Sequence, residues 1–502
     1  MGRIAQTRLP ELGSGMIFIP GLEPVIEACN EWIDVIEIEP QTFWSGLSVQ
    51  SAQQRANPEI RHWIRQLSKP LLLHGVGNPL ACSLSIHDVQ TAAFREAVAE
   101  FNPPWVSEHL SFNRVATDQE PFWTGFFLPP LQTSPVAAYC AKNVKQFQNE
   151  VGVPVLFETG VNYLQRQDEE ISDGNFVRAV AERADCGILM DLHNMWTNER
   201  CGRDAVLDVV SEIPADRVLE IHLAGGEQVN GWWLDAHSGL VPEPLQKITE
   251  QVVARLPNLK AIIFEIMPQH IRANKLDMRK IADHLQWIHE VWRTRGSRVK
   301  ATSNLGSPKS FTQSFKESSL SGSDWENALG RLAIGRIATS ALERKLALDQ
   351  GVRVFADLII SIRGGGLQDT LPLTCVYLKL SLGEAQFRKL VAEFCRRYPP
   401  TVFPSEDAKH FTEYLHHEKM AIPHLLQVAH FELAVIEIQS SDLSVSVQFT
   451  CDPEPLLACL AAGDLPNPMV LEDHEITIIH DREAGTSLHV RSVTKGCSTE
   501  SC

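Results

Sequence analysis

Between about residues 15 and 290, short uninterrupted apolar runs alternate with amphipathic stretches, and few folds accommodate that rhythm. The runs are Trp32–Ile38, Leu71–Leu73, Trp105–Val106, Val153–Phe157, Gly187–Met190, Val218–Leu223 and Ala261–Ile266. A continuous apolar run bounded by loops suits a strand covered on both faces, as in a parallel sheet. Between the runs lie helical candidates at His87–Phe101, Pro135–Glu150, Asn175–Ala184 and Pro244–Leu256. Strand–helix alternation sustained over about 250 residues has the size and period of a (β/α)8 TIM barrel. We therefore predict an α/β fold with the barrel over residues 1–295.

A chain of 502 residues is too long for one ordinary core, so a second domain is expected. Residues 296–324 are rich in Gly, Ser, Thr and Lys, cannot bury a core and read as a flexible linker. Beyond it a smaller α+β domain is predicted over 325–492. Helical periodicity covers Trp325–Arg344, Leu382–Arg397, Ala408–His417 and Ile422–Ile436, and strand-like alternation covers Leu443–Phe449 and Ile476–Ile479. Residues 493–502 read as a tail, and the terminal Cys497 and Cys502 within it as incidental.

Composition bounds the function. A formal net charge of -17 disfavours a surface that coats phosphates, so nucleic acid is not an expected partner. No apolar run reaches membrane-spanning length, and the start carries no apolar signal core, so no membrane partner is expected. Eleven cysteines at irregular spacings, none in a CxxC pair, read as reduced thiols in a cytoplasmic protein.

The chemistry sits at the ends of the apolar runs. Leu71–Leu73 leads into His74, Trp105–Ser107 into Glu108 and His109, and Val155–Phe157 into Glu158. Ile188–Met190 leads into Asp191, with His193 and Asn194 just after it. Leu219–Ile221 leads into His222, a following loop carries Asp235 and His237, and Ile262–Phe264 leads into Glu265. In a barrel the C-terminal strand ends converge on one mouth. Any one of these residues alone is more simply a hydrogen-bonded strand end. Burying them all around one mouth would be costly without cations to pair them. Histidine and carboxylate donors without thiolate suit iron, manganese or zinc.

Several strings resemble one family, the DUF692 (UPF0276) proteins, described as multinuclear non-haem iron-dependent oxidative enzymes. They are Leu73-His74-Gly75-Val76-Gly77, Val106-Ser107-Glu108-His109-Leu110-Ser111, Leu128-Pro129-Pro130, Glu220-Ile221-His222-Leu223-Ala224-Gly225 and Asp235-Ala236-His237-Ser238-Gly239. The resemblance spans roughly residues 10–285 and implies a TIM barrel. It implies that His74, His109 and Glu158 ligate one iron, and that Asp191, His222 and Glu265 ligate a second, with Glu158 bridging. Asn194, Asp235 and His237 would serve a third ion or complete the cluster, so that the cofactor is two or three irons of mixed Fe2+/Fe3+ state with O2 as co-substrate. His74, Glu158, Asp191, His222 and Glu265 would form the catalytic set, while Glu37 and Glu39 would stand behind the ligands. The chain departs from the family strings at Thr159, Pro40-Gln41-Thr42, Gly226 (usually His), Glu265-Ile266-Met267 and His193 (usually Asn).

The second domain resembles DUF2063-type partner proteins at Leu371-Pro372-Leu373, Val376-Tyr377, Arg396-Arg397-Tyr398-Pro399-Pro400, His424-Leu425-Leu426 and His430-Phe431-Glu432. That resemblance implies a domain that holds the leader of a precursor peptide. The expected function is iron- and O2-dependent oxidative modification of a ribosomally made peptide, at cysteine. Two rivals stand beside it: a zinc or manganese barrel hydrolase or isomerase, similar to endonuclease IV or xylose isomerase, and a non-enzymatic metal- or peptide-binding protein.

Overall fold

A computed structural model of the chain describes residues 9–45, 55–56, 58–118, 120–298, 320–440, 444–481 and 485–492. Eight parallel strands close into a barrel in sequence order. They are β1 (Gly13–Phe18), β2 (Val35–Ile38), β3 (Leu71–Gly75), β4 (Val106–His109), β5 (Val155–Glu158), β6 (Gly187–Asp191), β7 (Val218–Ala224) and β8 (Ala261–Glu265). β1 closes the ring, pairing with β8 from Gly13↔Ala261 and with β2 as far as Phe18↔Ile38. The expected (β/α)8 barrel is therefore the observed one.

The apolar runs form strands because both faces are covered. All residues of β2, β5, β6, β7 and β8 are buried. β1 carries a tighter constraint, because a Cβ on Gly15 would lie 1.9 Å from the Val35 carbonyl oxygen. Only glycine lets those two backbones meet there. The intervening helices Asp88–Phe101, Ser134–Val151, Asp173–Ala184 and Glu243–Val253 lie within two residues of the predicted starts and three of the predicted ends.

The contacts divide the described residues into two units. The first holds those up to Trp44, from Ala56 to Ala333, and from Ile337 to Phe355; the second holds the remainder. This differs from a boundary at 325. Trp325 is buried and its indole N–H donates to the Pro129 carbonyl at 3.0 Å. The neighbouring Glu326 accepts from the Ser83 hydroxyl at 2.5 Å and from the Tyr139 hydroxyl at 2.8 Å. The helix Gly322–Ala333 therefore belongs to the barrel unit. The predicted linker is also shorter at both ends, since 296–298 continue the helix Met278–Arg298 and 322–324 open the helix Gly322–Ala333. The rest of it, 299–319, and the tail with Cys497 and Cys502 lie outside the described residues.

The second unit combines helices Pro372–Leu382, Glu384–Arg397, Pro404–His417, Leu425–Ser440 and Pro453–Ala461 with an antiparallel sheet. Its strands β9 (Val445–Phe449), β10 (His474–Asp481) and β11 (Gly485–Ser492) pair in that order. Its core includes Leu378, Phe394, Phe411, Leu415, Val428 and Ile478. A buried Arg363 is held by both carboxylate oxygens of Asp407, at 2.7 and 2.9 Å, and by the Tyr398 carbonyl. Among the described residues, no helix is long and apolar enough to cross a membrane.

One buried histidine of the barrel unit ties stability to pH. His284 is 5 % exposed and its Nε2 accepts the Val241 backbone N–H at 3.3 Å, a bond that requires the neutral ring. Burial lowers its pKa from 6.5 to about 4. The unfolded chain therefore takes up this proton first as pH falls. The stability is present above pH 6.5 and is lost as pH drops through about 4. The shift corresponds to about 3 kcal/mol. We expect His284→Gln, which keeps an acceptor without a titrating ring, to lose less stability than wild type between pH 6.5 and 4. Denaturant midpoints across that range check it.

Candidate metal centre

Each candidate side chain is aimed by ordinary strand-end and helix-start geometry. Asp191 ends β6 and caps the helix Leu192–Arg200: its Oδ1 accepts the Asn194 backbone N–H at 2.7 Å, leaving Oδ2 free. The same turn brings in the Asn194 side chain, whose Nδ2 lies 3.3 Å from Glu158 Oε1. His237 adopts a left-handed backbone, φ +47°, an uncommon conformation for a residue other than glycine. Its carbonyl accepts the Met267 N–H at 3.0 Å, and the next residue, Ser238, donates to Gly225 O at 2.9 Å.

Glu158, at the end of β5, stands between two groups of donors. Its Oε2 lies 3.0 Å from His109 Nε2 and 3.4 Å from His74 Nε2. Its Oε1 faces the other way, 3.9 Å from His222 Nδ1. His74, His109 and Glu158 form one compact candidate ligand group, and Glu158, Asp191 and His222 form another. Glu265 continues the chain of contacts, with Oε2 at 3.4 Å from His222 Nδ1 and 3.5 Å from His237 Nε2. Asp235 Oδ1 lies 3.0 Å from the same His237 nitrogen. All nine sequence candidates thus come together at one end of the barrel, with Glu158 and Glu265 as the joints.

Most of the imidazoles turn one nitrogen inward and anchor the other. His109 Nδ1 lies 3.1 Å from the Gly75 carbonyl, and His74 Nδ1 lies 2.7 Å from the Ser107 hydroxyl. His222 Nε2 sits 2.8 Å from Glu37 Oε2, a close charge contact without hydrogen-bond alignment, and its Nδ1 faces the cluster. The face of His109 stacks on Phe127 at 4.0 Å between ring centres. Anchoring the far nitrogen fixes the ring and keeps the near lone pair available, as the partners behind metal-bound histidines do.

Sequence reasoning missed part of this support. Ser107 has no role in the sequence reading and Thr159 stands there only as a departure, yet Thr159 Oγ1 accepts the Asp191 N–H at 3.0 Å. Glu220 was read as strand, but it points into the barrel beside Glu37 and takes the Trp105 indole N–H at 2.8 Å. A carboxylate inside an apolar run was the available signal. Glu108 carries no ligand geometry; it ties loops, accepting the Asn78 and His109 backbone N–H groups at 2.8 and 2.9 Å.

The electrostatics are those of a site balanced by protons. Burial disfavours the charged form of His74, yet the hydrogen bond and charge of Glu158, with Glu37 behind, raise it to about 10. Burial likewise opposes charge on His222 and His237; carboxylates around Glu265 and Glu37, and around Asp235 and Glu265, push them well up. Against their own burial, Glu158 is held low by His109 and His74, Asp235 by His237 and His193, and Glu265 by His222 and His237. Asp191 is pushed up by burial and then by Glu158. Glu39 is also raised, by burial foremost. Burial and the charge of Glu37 carry Glu220 up to about 8. The donor set fits cations on a simple count: Glu158 Oε2, Asp191 Oδ2, Asn194 Oδ1 and both ring nitrogens of His222 are buried and take no well-formed hydrogen bond among the described residues. Orphaned buried acceptors of this kind call for a partner.

Residues 22–289 match the profile of a family described as "RiPP precursor modification enzyme MbnB/TglH/ChrH". A UPF0276 protein of Chromobacterium violaceum is 31 % identical over 241 residues, covering 47 % of this chain and 85 % of its own length. The chain belongs to this family. A second UPF0276 protein, of Rhizorhabdus wittichii, is 30 % identical over 195 residues, 39 % of this chain and 68 % of its own. Among solved structures, D-psicose 3-epimerase of Clostridium cellulolyticum H10 covers 56 % of this chain and 98 % of its own, with 11 % identity and a TM-score of 0.36, too low to bear on fold or chemistry.

The MbnB/TglH/ChrH match runs from 22 to 289 and so contains all nine candidate residues; of the barrel strands, β1, which carries none of them, lies outside it. Because Glu158 faces both donor groups, we expect Glu158→Ala to remove more metal per chain than His109→Ala, which touches one group alone. Elemental analysis of the two folded variants against wild type checks this; equal losses would contradict a shared carboxylate.

Proposed function

We propose that the barrel unit is an iron- and O2-dependent enzyme that oxidatively modifies a ribosomally made precursor peptide at cysteine. One observation carries the reading: a single buried carboxylate, Glu158, is shared by two all-nitrogen-and-oxygen donor groups at the barrel mouth. Membership of a precursor-modifying enzyme family supports the substrate class. A donor set of imidazole and carboxylate without thiolate suits iron, and bridging carboxylates suit more than one ion.

His74, His109 and Glu158 would hold a first ion; Glu158, Asp191, His222 and Glu265 a second; Asn194, Asp235 and His237, with Glu265, a third where one is bound. When bound, the irons would supply dioxygen activation and an open position for the substrate sulfur. The protein's own groups do the rest. Glu37 holds the Nε2 side of His222 from below, at 2.8 Å. Phe127 covers one face of His109. Glu220, a neutral acid below about pH 8, keeps the layer under the mouth from carrying a second full negative charge beside Glu37. The C-terminal unit, as a DUF2063-like partner, would hold the peptide's leader and raise the local concentration of its core at the barrel mouth.

The test is protein purified without oxygen, loaded with Fe2+, and mixed with a cysteine-containing precursor peptide encoded beside this gene. On admitting O2 we expect oxygen consumption and a mass change in the peptide that maps to cysteine, absent from zinc-loaded protein and abolished in Glu158→Ala. Full activity with zinc and no oxygen uptake would favour a hydrolase or isomerase. Bound iron with no change in any peptide would favour a binding protein.

A further inference from the structure

His193 is fully buried on the first turn of the helix Leu192–Arg200, two residues after Asp191. It belongs to none of the candidate ligand groups. Its two ring nitrogens are nonetheless both engaged. Nδ1 lies 3.0 Å from Asp235 Oδ1, and Nε2 receives the indole N–H of Trp233 at 3.0 Å.

Those two contacts determine where its proton sits. An indole nitrogen can only donate, so Nε2 of His193 must offer a lone pair. The ring's single proton is therefore on Nδ1 and is donated to Asp235. A proton on Nε2 would oppose the indole N–H head-on, so the pairing fixes the Nδ1–H tautomer. Trp233 is itself braced: its ring meets Trp196 edge-on at 5.1 Å, and the Arg200 guanidinium lies over it at 5.3 Å. Asp235 is fixed from its backbone as well, its N–H donating to the buried Tyr163 hydroxyl at 3.0 Å. The oxygen that His193 holds is the one 3.0 Å from His237 Nε2.

The space for this device comes from Gly226. A Cβ there would lie 2.3 Å from the Leu234 carbonyl oxygen, 2.6 Å from the Trp233 indole nitrogen and 2.8 Å from His193 Nε2. Glycine at 226 and histidine at 193, two departures from the family strings, are thus neighbours in space. The Trp233–His193 hydrogen bond lies against the ground that a side chain at 226 would take.

We propose that His193 is a positioning residue. With its ring held in the Nδ1–H tautomer by Trp233, it aims Asp235 at the cation shared with His237 and Glu265. This rests on the metal-binding reading above and adds a role for a residue outside the ligand set. Partners of this kind typically change metal affinity by about 10- to 100-fold.

The experiment is Mn2+ titration of the full chain, stripped of metal, followed by EPR of free Mn2+, with thermal melting of the metal-free proteins alongside. Three variants separate positioning from packing. His193→Asn places an amide N–H near the position of Nδ1 and should keep Mn2+ affinity within about 3-fold of wild type, a small fraction of the effect of losing the donor. His193→Gln extends its amide toward the position of Nε2, and His193→Leu has no donor at all. Both should weaken one class of Mn2+ site by about 10- to 100-fold while leaving the others unchanged. Equal affinities for wild type and His193→Leu would overturn the proposal. So would equal losses in the Asn and Gln variants, which would mark a packing role that melting alone would register. A wild type that binds no Mn2+ would overturn both this proposal and the metal reading beneath it.

Discussion

The structure turns on a carboxylate that cannot be satisfied by one neighbour. Glu158 is 3 % exposed, and its two oxygens face opposite donor groups. A buried carboxylate in an apolar barrel is expensive to ionise, and one imidazolium would meet only one side of it. Its pKa is nevertheless held below the ordinary carboxylate range by the histidines around it. The same tension repeats at Glu265 between His222 and His237. Protons can balance this network, but cations would balance it with coordination geometry as well as charge.

The barrel supplies that tension cheaply because its strand ends converge whatever the side chains are. The chain then spends local hydrogen bonds on aim. Asp191 caps a helix with one oxygen and keeps the other for the mouth. His109 is held by a main-chain carbonyl, His74 by a serine and His222 by a carboxylate. Below them Glu37 and Glu220 form a polar layer inside the barrel, where side chains from β2 and β7 meet. That layer makes the mouth a set of fixed rings rather than a floppy ring of ligands.

The polar residues that end apolar runs were legible in the sequence, because an ionisable side chain at the end of a buried strand has few other reasons to recur at six strands. The barrel was legible for the same reason, except β1, where Gly13 and Gly15 break the run and leave only Met16, Ile17 and Phe18 as signal. The glycine that obscured the strand is what its packing on Val35 demands. The domain border was misplaced because a linker-like composition marks where a core is absent, not which core the next helix joins. Trp325 and Glu326 return to the barrel through partners nearly two hundred residues away or more, Pro129, Ser83 and Tyr139. His193 was visible as a neighbour of the strand-end Asp191 and as a departure from a family string; its partners, Trp233 and Asp235, are some forty residues distant and become meaningful only once the loop after β7 is folded back.

The shared carboxylate is tested most directly by anomalous scattering from crystals of the metal-loaded protein, collected above and below the metal absorption edge. The account expects two peaks flanking Glu158, about 3.5–4 Å apart as in other carboxylate-bridged pairs, one beside His74 and His109 and one beside Asp191 and His222. A single peak taking both Glu158 oxygens, or peaks remote from that side chain, would contradict it.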